Sequence, residues 1–192
     1  MPIGKYNALD IEPEILKFWE ENKIYEKVKK KASKGKDYYF LDGPPYTSGK
    51  VHIGTAWNKS LKDSFLRFKR MNNVNVWDRA GYDMHGLPTA HAVMKKLKIK
   101  HKDDIPKYGV DKFVNECIKL SKDNMKEMNK DFGRLGVWMD LENAYQSIDP
   151  KFIDGEWWLI KKAHENKRLY EGEKVMHWCS SCGTALAKHE LE

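Results

Sequence analysis

Three short groups of residues in this 192-residue chain have types and spacings that can do chemistry. The first runs Gly43-Pro44-Pro45-Tyr46-Thr47-Ser48-Gly49-Lys50-Val51-His52-Ile53-Gly54-Thr55. Gly43 and Gly49 let the backbone approach a ligand closely. Gly54 leaves a flat surface where a Cβ would otherwise project, and a base or ribose could lie there. His52 and Lys50 fall where the positive end of a helix dipole points, so both can meet phosphate oxygens. A lone His-x-Gly is also what a turn before a helix with one incidental histidine looks like. The second group is Gly81-Tyr82-Asp83-Met84-His85-Gly86-Leu87-Pro88. Asp83 either caps a turn or offers a carboxylate to a substrate ammonium. His85 either lines a pocket or steadies the loop. The third group is Cys179-Ser180-Ser181-Cys182, half of a zinc ribbon; two such pairs would hold Zn²⁺ tetrahedrally. The alternative, a redox dithiol, needs a thioredoxin-like βαβ context that is missing here. His177 and His189 are the nearby nitrogens.

The elements that must position these groups follow from hydrophobic period. Tyr38 to Asp42 is a short apolar run of strand formers that breaks at Gly43-Pro44-Pro45, where proline removes ladder donors. After Gly49 the period becomes helical, with Trp57, Leu61 and Phe65 every fourth residue. Strand, rigid loop, helix is where open α/β sheets bind ligands. The helix over 54–71 is expected to be basic on its exposed side, through Lys59, Lys62, Arg67, Lys69 and Arg70. A second strand, near 74–78, completes one βαβ unit with a parallel pair. It delivers residues 79–88 as a second polar loop at the same sheet edge. Ahead of this unit, Asp10 reads as an N-cap with Ile11, Ile15 and Trp19 as one apolar stripe. The lysine-rich run Lys27–Lys36 reads as a solvated helix end or a nucleic-acid contact. Beyond the unit, a helix over 89–100 is followed by a long one from about Asp111, with Phe113, Cys117, Leu120, Met125, Met128 and Phe132 on its apolar side. Cys117 is there a small buried residue rather than a nucleophile. Asp149-Pro150 starts another helix with Phe152, Ile153, Trp157, Ile160 and Ala163 inward. A strand is expected over Lys174 to Trp178.

Composition bounds the class. Hydrophobic residues make up 41% and charged residues 33%, and no run approaches the roughly 18 apolar residues of a membrane helix. Met1 to Lys5 shows no secretory leader. Three cysteines make no disulfide framework and fit a reducing compartment. The net charge of +7 favours a polyanionic partner without proving one.

His52-Ile53-Gly54-Thr55 resembles the HIGH signature of class I aminoacyl-tRNA synthetases. Asp42-Gly43-Pro44-Pro45-Tyr46 and Gly81 to Pro88 resemble isoleucyl-tRNA synthetases in particular. Thr55 followed by Ala56-Trp57-Asn58-Lys59 is most similar to their archaeal type. The resemblance runs from about Asp10 to the last residue. It implies an α/β fold, the first half of a Rossmann-like catalytic domain over 38–175. A helical segment over 1–37 precedes it, and the start of a zinc-ribbon and editing insertion follows over 176–192. It implies ATP with Mg²⁺, isoleucine and tRNA(Ile) as ligands, and a monomer working in the cytoplasm away from membranes. His52, Thr55 and Lys50 would be catalytic. Gly43, Tyr46, His52, Gly54, Thr55 and Asn58 would bind ATP, and Gly43, Pro44, Pro45, Asp83 and His85 the amino acid. Cys179 and Cys182 would be a zinc half-site. Tyr82 stands where tryptophan is common, Thr89-Ala90 where Ile-Glu is usual, and Thr55 replaces the second histidine of HIGH. The family's Lys-Met-Ser-Lys-Ser loop and anticodon-binding domain have no counterpart here. The expectation is therefore an N-terminal part, inactive alone. A valyl or leucyl enzyme, or a short non-catalytic relative binding nucleotide or tRNA, are the alternatives.

Overall fold

The computed structural model describes residues 6–47 and 49–186. Two helices come first, α1 (Ala8–Glu21) and α2 (Ile24–Ala32). The N-cap of α1 is Asn7, whose side chain accepts from the Leu9 N–H at 3.2 Å. Asp10, expected to cap, lies in the first turn instead. Ala8 and Leu9 are strong helix formers, so the helix begins at the earlier of two good caps. Of the expected stripe only Trp19 is well packed, edge-on to Trp138 at 5.0 Å; Ile11 and Ile15 are exposed.

The predicted βαβ unit is present. β1 (Asp37–Tyr39) and β2 (Asn75–Trp77) pair in parallel, Tyr38 opposite Val76, on either side of α3 (Ile53–Met71). β1 stops at Tyr39 rather than Asp42. The Phe40 N–H still reaches the Trp77 carbonyl at 3.1 Å. Beyond it, the Asp42 carboxylate takes the Gly81 N–H at 3.2 Å, a place a ladder carbonyl would otherwise fill. Pairing resumes past the prolines, where Tyr46 bridges Asp83 in parallel.

Residues 79–88 are not simply a loop. β3 (Arg79–Tyr82) follows Asp78 directly and pairs in parallel with β4 (Asp140–Gln146). The leading arginine and the glycine disguise this strand, although Ala80 and Tyr82 are fully buried. Gly81 is required by close packing: a Cβ there would lie 2.0 Å from the Tyr145 ring. One core cluster gathers Leu66, Val76, Ala80 and Met139, and a second gathers Tyr82, Met84, Met128 and Phe132.

α3 is turned the opposite way from the sequence expectation. Lys59 and Arg70 are only 1% and 3% exposed, and Lys62, Arg67 and Lys69 are half-buried. Trp57, Leu61, Phe65 and Phe68 face outward instead. The cause is a pair of acids beneath the helix: Asp42 meets Lys59 and Lys62, and Asp78 meets Arg70. Within the helix, Asp63 pairs with Arg67 one turn on. A buried base is tolerated when a buried acid pairs with it.

α4 (Leu87–Leu97), a short 3₁₀ turn and α5 (Ile105–Tyr108) lead into α6 (Val110–Arg134). α6 buries Phe113, Ser121, Met128 and Phe132, with Cys117 half-buried. Gly136, at φ +71°, follows its C-terminus. α7 (Pro150–Glu165) is capped by Asp149 as expected, but Ile153, Trp157 and Ile160 are exposed rather than inward. Phe152 alone of that set stacks on Tyr145, at 5.7 Å. Among the described residues nothing packs over the rest of that face. β5 (His177–Cys179) and β6 (Thr184–Leu186) form an antiparallel hairpin. Among the described residues the strand begins at His177, opposite Leu186, and not at Lys174. No helix among the described residues is long and apolar enough to cross a membrane.

Asp78 tests the buried pairing. It accepts from Arg70, from Lys29 at 3.0 Å and from the Tyr25 hydroxyl. Asp78→Ala should destabilise by about 3–5 kcal/mol in urea unfolding, because it strands a buried guanidinium. Arg70→Met combined with Asp78→Ala should recover most of that loss. Equal losses for the single and double variants would show that the pair does not hold the helix.

Candidate active site

His52 is the N-cap of α3. Its Nδ1 accepts from the Gly54 and Thr55 N–H groups at 3.1 and 3.4 Å. Nδ1 is therefore unprotonated, and Nε2–H donates to the Thr55 hydroxyl at 3.0 Å. A Cβ on Gly54 would come within 3.0 Å of the His52 ring, so Gly54 makes room for the imidazole. His52 was expected to face phosphate oxygens; its imidazole instead occupies the first free amides of the helix. His52, Gly54 and Thr55 are thus brought together, with Asn58 one turn on and Lys50 exposed before the helix.

The loop ahead of His52 is fastened by groups the sequence did not single out. The Thr47 carbonyl accepts from Asn124 at 2.7 Å, and the Val51 N–H donates to Asp131 at 3.1 Å, both partners on α6. The Thr47 N–H donates to the Asp83 carbonyl at 3.0 Å, and the Asp83 N–H to the Pro45 carbonyl at 3.0 Å. The Tyr46 hydroxyl donates to the His85 carbonyl and accepts from Thr89 at 3.4 Å. It therefore joins the two loops. Two departures from the family pattern have local accounts as well. Thr89 is buried beneath Tyr46, and the Tyr82 hydroxyl donates to Asn129.

Asp83 lines a cleft of about 500 Å³ with Pro44, Trp77, Arg79, His85 and Tyr145. Its Oδ1 is buried and has no hydrogen-bond partner, and the nearest His85 nitrogen is 3.9 Å away. A turn-capping aspartate would spend that oxygen on a backbone N–H. Gly43 and Pro45 do not line the cleft, and neither does His52. Tyr39 stacks on Trp77 at 4.6 Å, and the Arg79 guanidinium lies over Trp77 at 4.9 Å. Arg79 and Tyr145 were missed. Arg79 carried no spacing signal, and Tyr145 reaches the cleft only through the pairing of β4 with β3.

Asp42 lies between these places. It is fully buried and accepts from Lys59 at 2.5 Å and Lys62 at 2.7 Å. Lys62 also donates to the Gly43 carbonyl at 2.9 Å, and the Tyr145 hydroxyl donates to the Asp42 carbonyl. Burial pushes the Lys59 ammonium below the ordinary lysine range, against the opposing pull of Asp42. Burial, then the Asp42 and Tyr39 charges, push the Tyr145 phenol up to about 12.

Cys179 and Cys182 sit at the β5–β6 turn. The Cys182 N–H donates to the Cys179 sulfur at 3.3 Å, which lowers the Cys179 thiol pKa. His91 Nε2, on α4, lies 3.6 Å from the Cys182 sulfur, a contact no local spacing announces. An N–H···S bond across a Cys-x-x-Cys turn suits a thiolate pair holding a soft cation. Among the described residues no third metal-binding side chain completes a site. His177 is exposed, and His189 lies outside the described residues. Burial raises the Cys117 thiol, against a nucleophilic role.

The profile of the family described as tRNA synthetases class I (I, L, M and V) matches residues 14–192. The chain belongs to this family. It is 48% identical over 189 residues to an isoleucine–tRNA ligase of Methanoregula boonei, covering 98% of this chain and 18% of that protein. Against the isoleucine–tRNA ligase of Methanocaldococcus jannaschii the identity is 49% over 186 residues, covering 96% and 18%. The chain thus spans about 18% of the length of the curated relatives it matches. Its fold matches a crystal structure of an Agrobacterium radiobacter K84 LeuRS–tRNA–LeuAMS ternary complex with a TM-score of 0.65. At 21% identity, over 98% of this chain and 21% of that one, this likeness shows the family fold. The α/β architecture inferred from the HIGH-like segment therefore holds.

His52→Ala should destabilise the chain by about 1 kcal/mol through loss of the cap, whereas His52→Asn should fall within about 0.5 kcal/mol of the original. Denaturant midpoints check this, and equal losses would mean the cap contributes nothing. Tyr145 gives a pH test. Its raised pKa stabilises the fold fully below about pH 10 and is lost as pH rises through about 12. Tyr145→Phe should flatten that alkaline fall and remove one late step in the tyrosinate absorbance titration.

Proposed function

We propose that this chain supplies the amino-acid and adenosine side of the active site of an isoleucine–tRNA ligase. The observation that carries this reading is the unpartnered, buried Oδ1 of Asp83 in a cleft beside Pro44. The Asp83 side chain is 39% exposed and lines the cleft, and a substrate ammonium would supply the partner that this oxygen lacks. The curated relatives named for isoleucine support the choice of amino acid.

The isoleucine carboxylate attacks the α-phosphorus of ATP, which arrives with Mg²⁺, and pyrophosphate leaves. The terminal ribose hydroxyl of tRNA(Ile) then takes the acyl group and AMP departs. Phosphate oxygens replace the His52 imidazole on the Gly54 and Thr55 amides, and the freed histidine and Lys50 meet the growing charge. Gly54 leaves room for the adenosine, with Asn58 and Tyr46 beside it. Pro44 and His85 line the amino-acid side, and Gly43 and Pro45 set the course of the loop that carries Pro44. The chain divides into a helical segment over 1–37, a catalytic half-domain over 38–175 and the start of an insertion over 176–192. Cys179 and Cys182 would there hold Zn²⁺ with ligands from elsewhere. The same reading gives a monomer in the cytoplasm.

Calorimetric titration with isoleucine and with Mg·ATP tests it. Asp83→Asn should weaken isoleucine binding by about 2–5 kcal/mol and leave ATP binding within about twofold, less than 0.5 kcal/mol. Isoleucine binding within twofold of the original would remove the ammonium role. Equal binding of valine and leucine would remove the assignment to isoleucine.

A further inference from the structure

Resting on the function just given, we propose that Asp42 is a positioning residue that, through Lys59 and Lys62, sets the distance between the nucleotide and amino-acid halves of the site. Asp42 touches neither ligand region directly. Its carboxylate is fully buried and ties two elements, the helix α3 and the strand β3, while its backbone carbonyl holds a third, β4. Lys59 and Lys62 lie on the helix that His52 caps. Gly81, whose N–H it accepts, lies on the strand that ends just before Asp83. The Asp42 carbonyl takes the Tyr145 hydroxyl, and Tyr145 lines the cleft. Lys62 adds a second link, to the Gly43 carbonyl beside Pro44.

The geometry has a mechanical reading. Gly43 and Pro44 interrupt the ladder between the Phe40–Trp77 bond and the Pro45–Asp83 bond, so over that stretch backbone pairing does not tie Asp42 to its neighbours. The ionic cluster fills that gap. Lys59 is anchored further by the Phe132 ring, 4.9 Å from its ammonium. An acid paired with two bases in a dry setting has few alternative arrangements, because any separation leaves a buried charge unpaired. Sliding α3 relative to Asp83 therefore means breaking the cluster. Reaction of a carboxylate held on one side with a phosphate held on the other requires that spacing to be preset.

Lys62→Met is the first variant, because Lys62 is only partly buried, at 18% side-chain exposure, and tolerates truncation. Asp42→Asn, which keeps an acceptor for the Gly81 N–H, is the second. Affinities of the full chain are measured for isoleucine, for Mg·ATP and for isoleucyl-sulfamoyl-adenosine, a stable mimic that spans both halves. In both variants the affinity for the spanning mimic should fall at least about tenfold (1.4 kcal/mol), with each separate ligand within about threefold. Lys62→Arg should return the mimic to within about threefold. Loss of all three affinities together would make the cluster merely structural and overturn the proposal. Unchanged mimic binding would also overturn it, with the proposed function left standing. If the unaltered chain binds none of the three, the proposed function falls and the positioning role falls with it.

Discussion

One buried negative charge organises the middle of this molecule. Asp42 has no access to solvent, and its carboxylate is satisfied by two ammonium groups and a backbone N–H. A carboxylate in that position must be paired, since an unpaired one would carry a desolvation penalty of several kcal/mol. The pairing decides which way α3 faces. Once Lys59 and Lys62 turn inward to Asp42, Arg70 follows to Asp78. The apolar residues at the opposite spacing, from Ile53 through Trp57, Leu61 and Phe65, then have to face out.

That inversion explains what was legible in the sequence and what was not. Hydrophobic period locates α3, because period depends only on spacing. It does not tell which side is buried when the helix carries two regular faces, one apolar and one basic. The usual assumption that the apolar side goes inward fails here because the acids that receive the bases, Asp42 and Asp78, lie outside the helix, where its own period gives no sign of them. β3 was hidden for a related reason. Arg79 and Gly81 lower its apparent strand character, and the requirement for Gly81 appears only when Tyr145 arrives from β4. The site groups themselves were readable as residue types. Pro44 lies in the loop that leads to the His52 cap of α3, and Asp83 and His85 follow β3; the Tyr46–Asp83 bridge and the Thr47 N–H bond to the Asp83 carbonyl hold the two loops side by side. Their partners Asn124, Asp131 and Tyr145 sit on elements whose contact with these loops is purely tertiary.

The self-capped His52 bears on how the proposed chemistry would divide its binding energy. The Gly54 and Thr55 amides are bonded to the imidazole. A ground-state phosphate that takes those amides must displace it, so the net gain on binding is the difference between two hydrogen-bonded arrangements and is small. Charge that grows on the phosphate oxygens during transfer strengthens the new set and has no effect on the displaced one. The displaced imidazole, no longer held by the amides, is also free to meet that charge. Interactions that strengthen only as the reaction proceeds lower its barrier rather than tightening the ground state. The cap and the catalytic group would then be one residue in two arrangements. Gly54 permits both, since a side chain there would crowd the first and obstruct a nucleotide in the second.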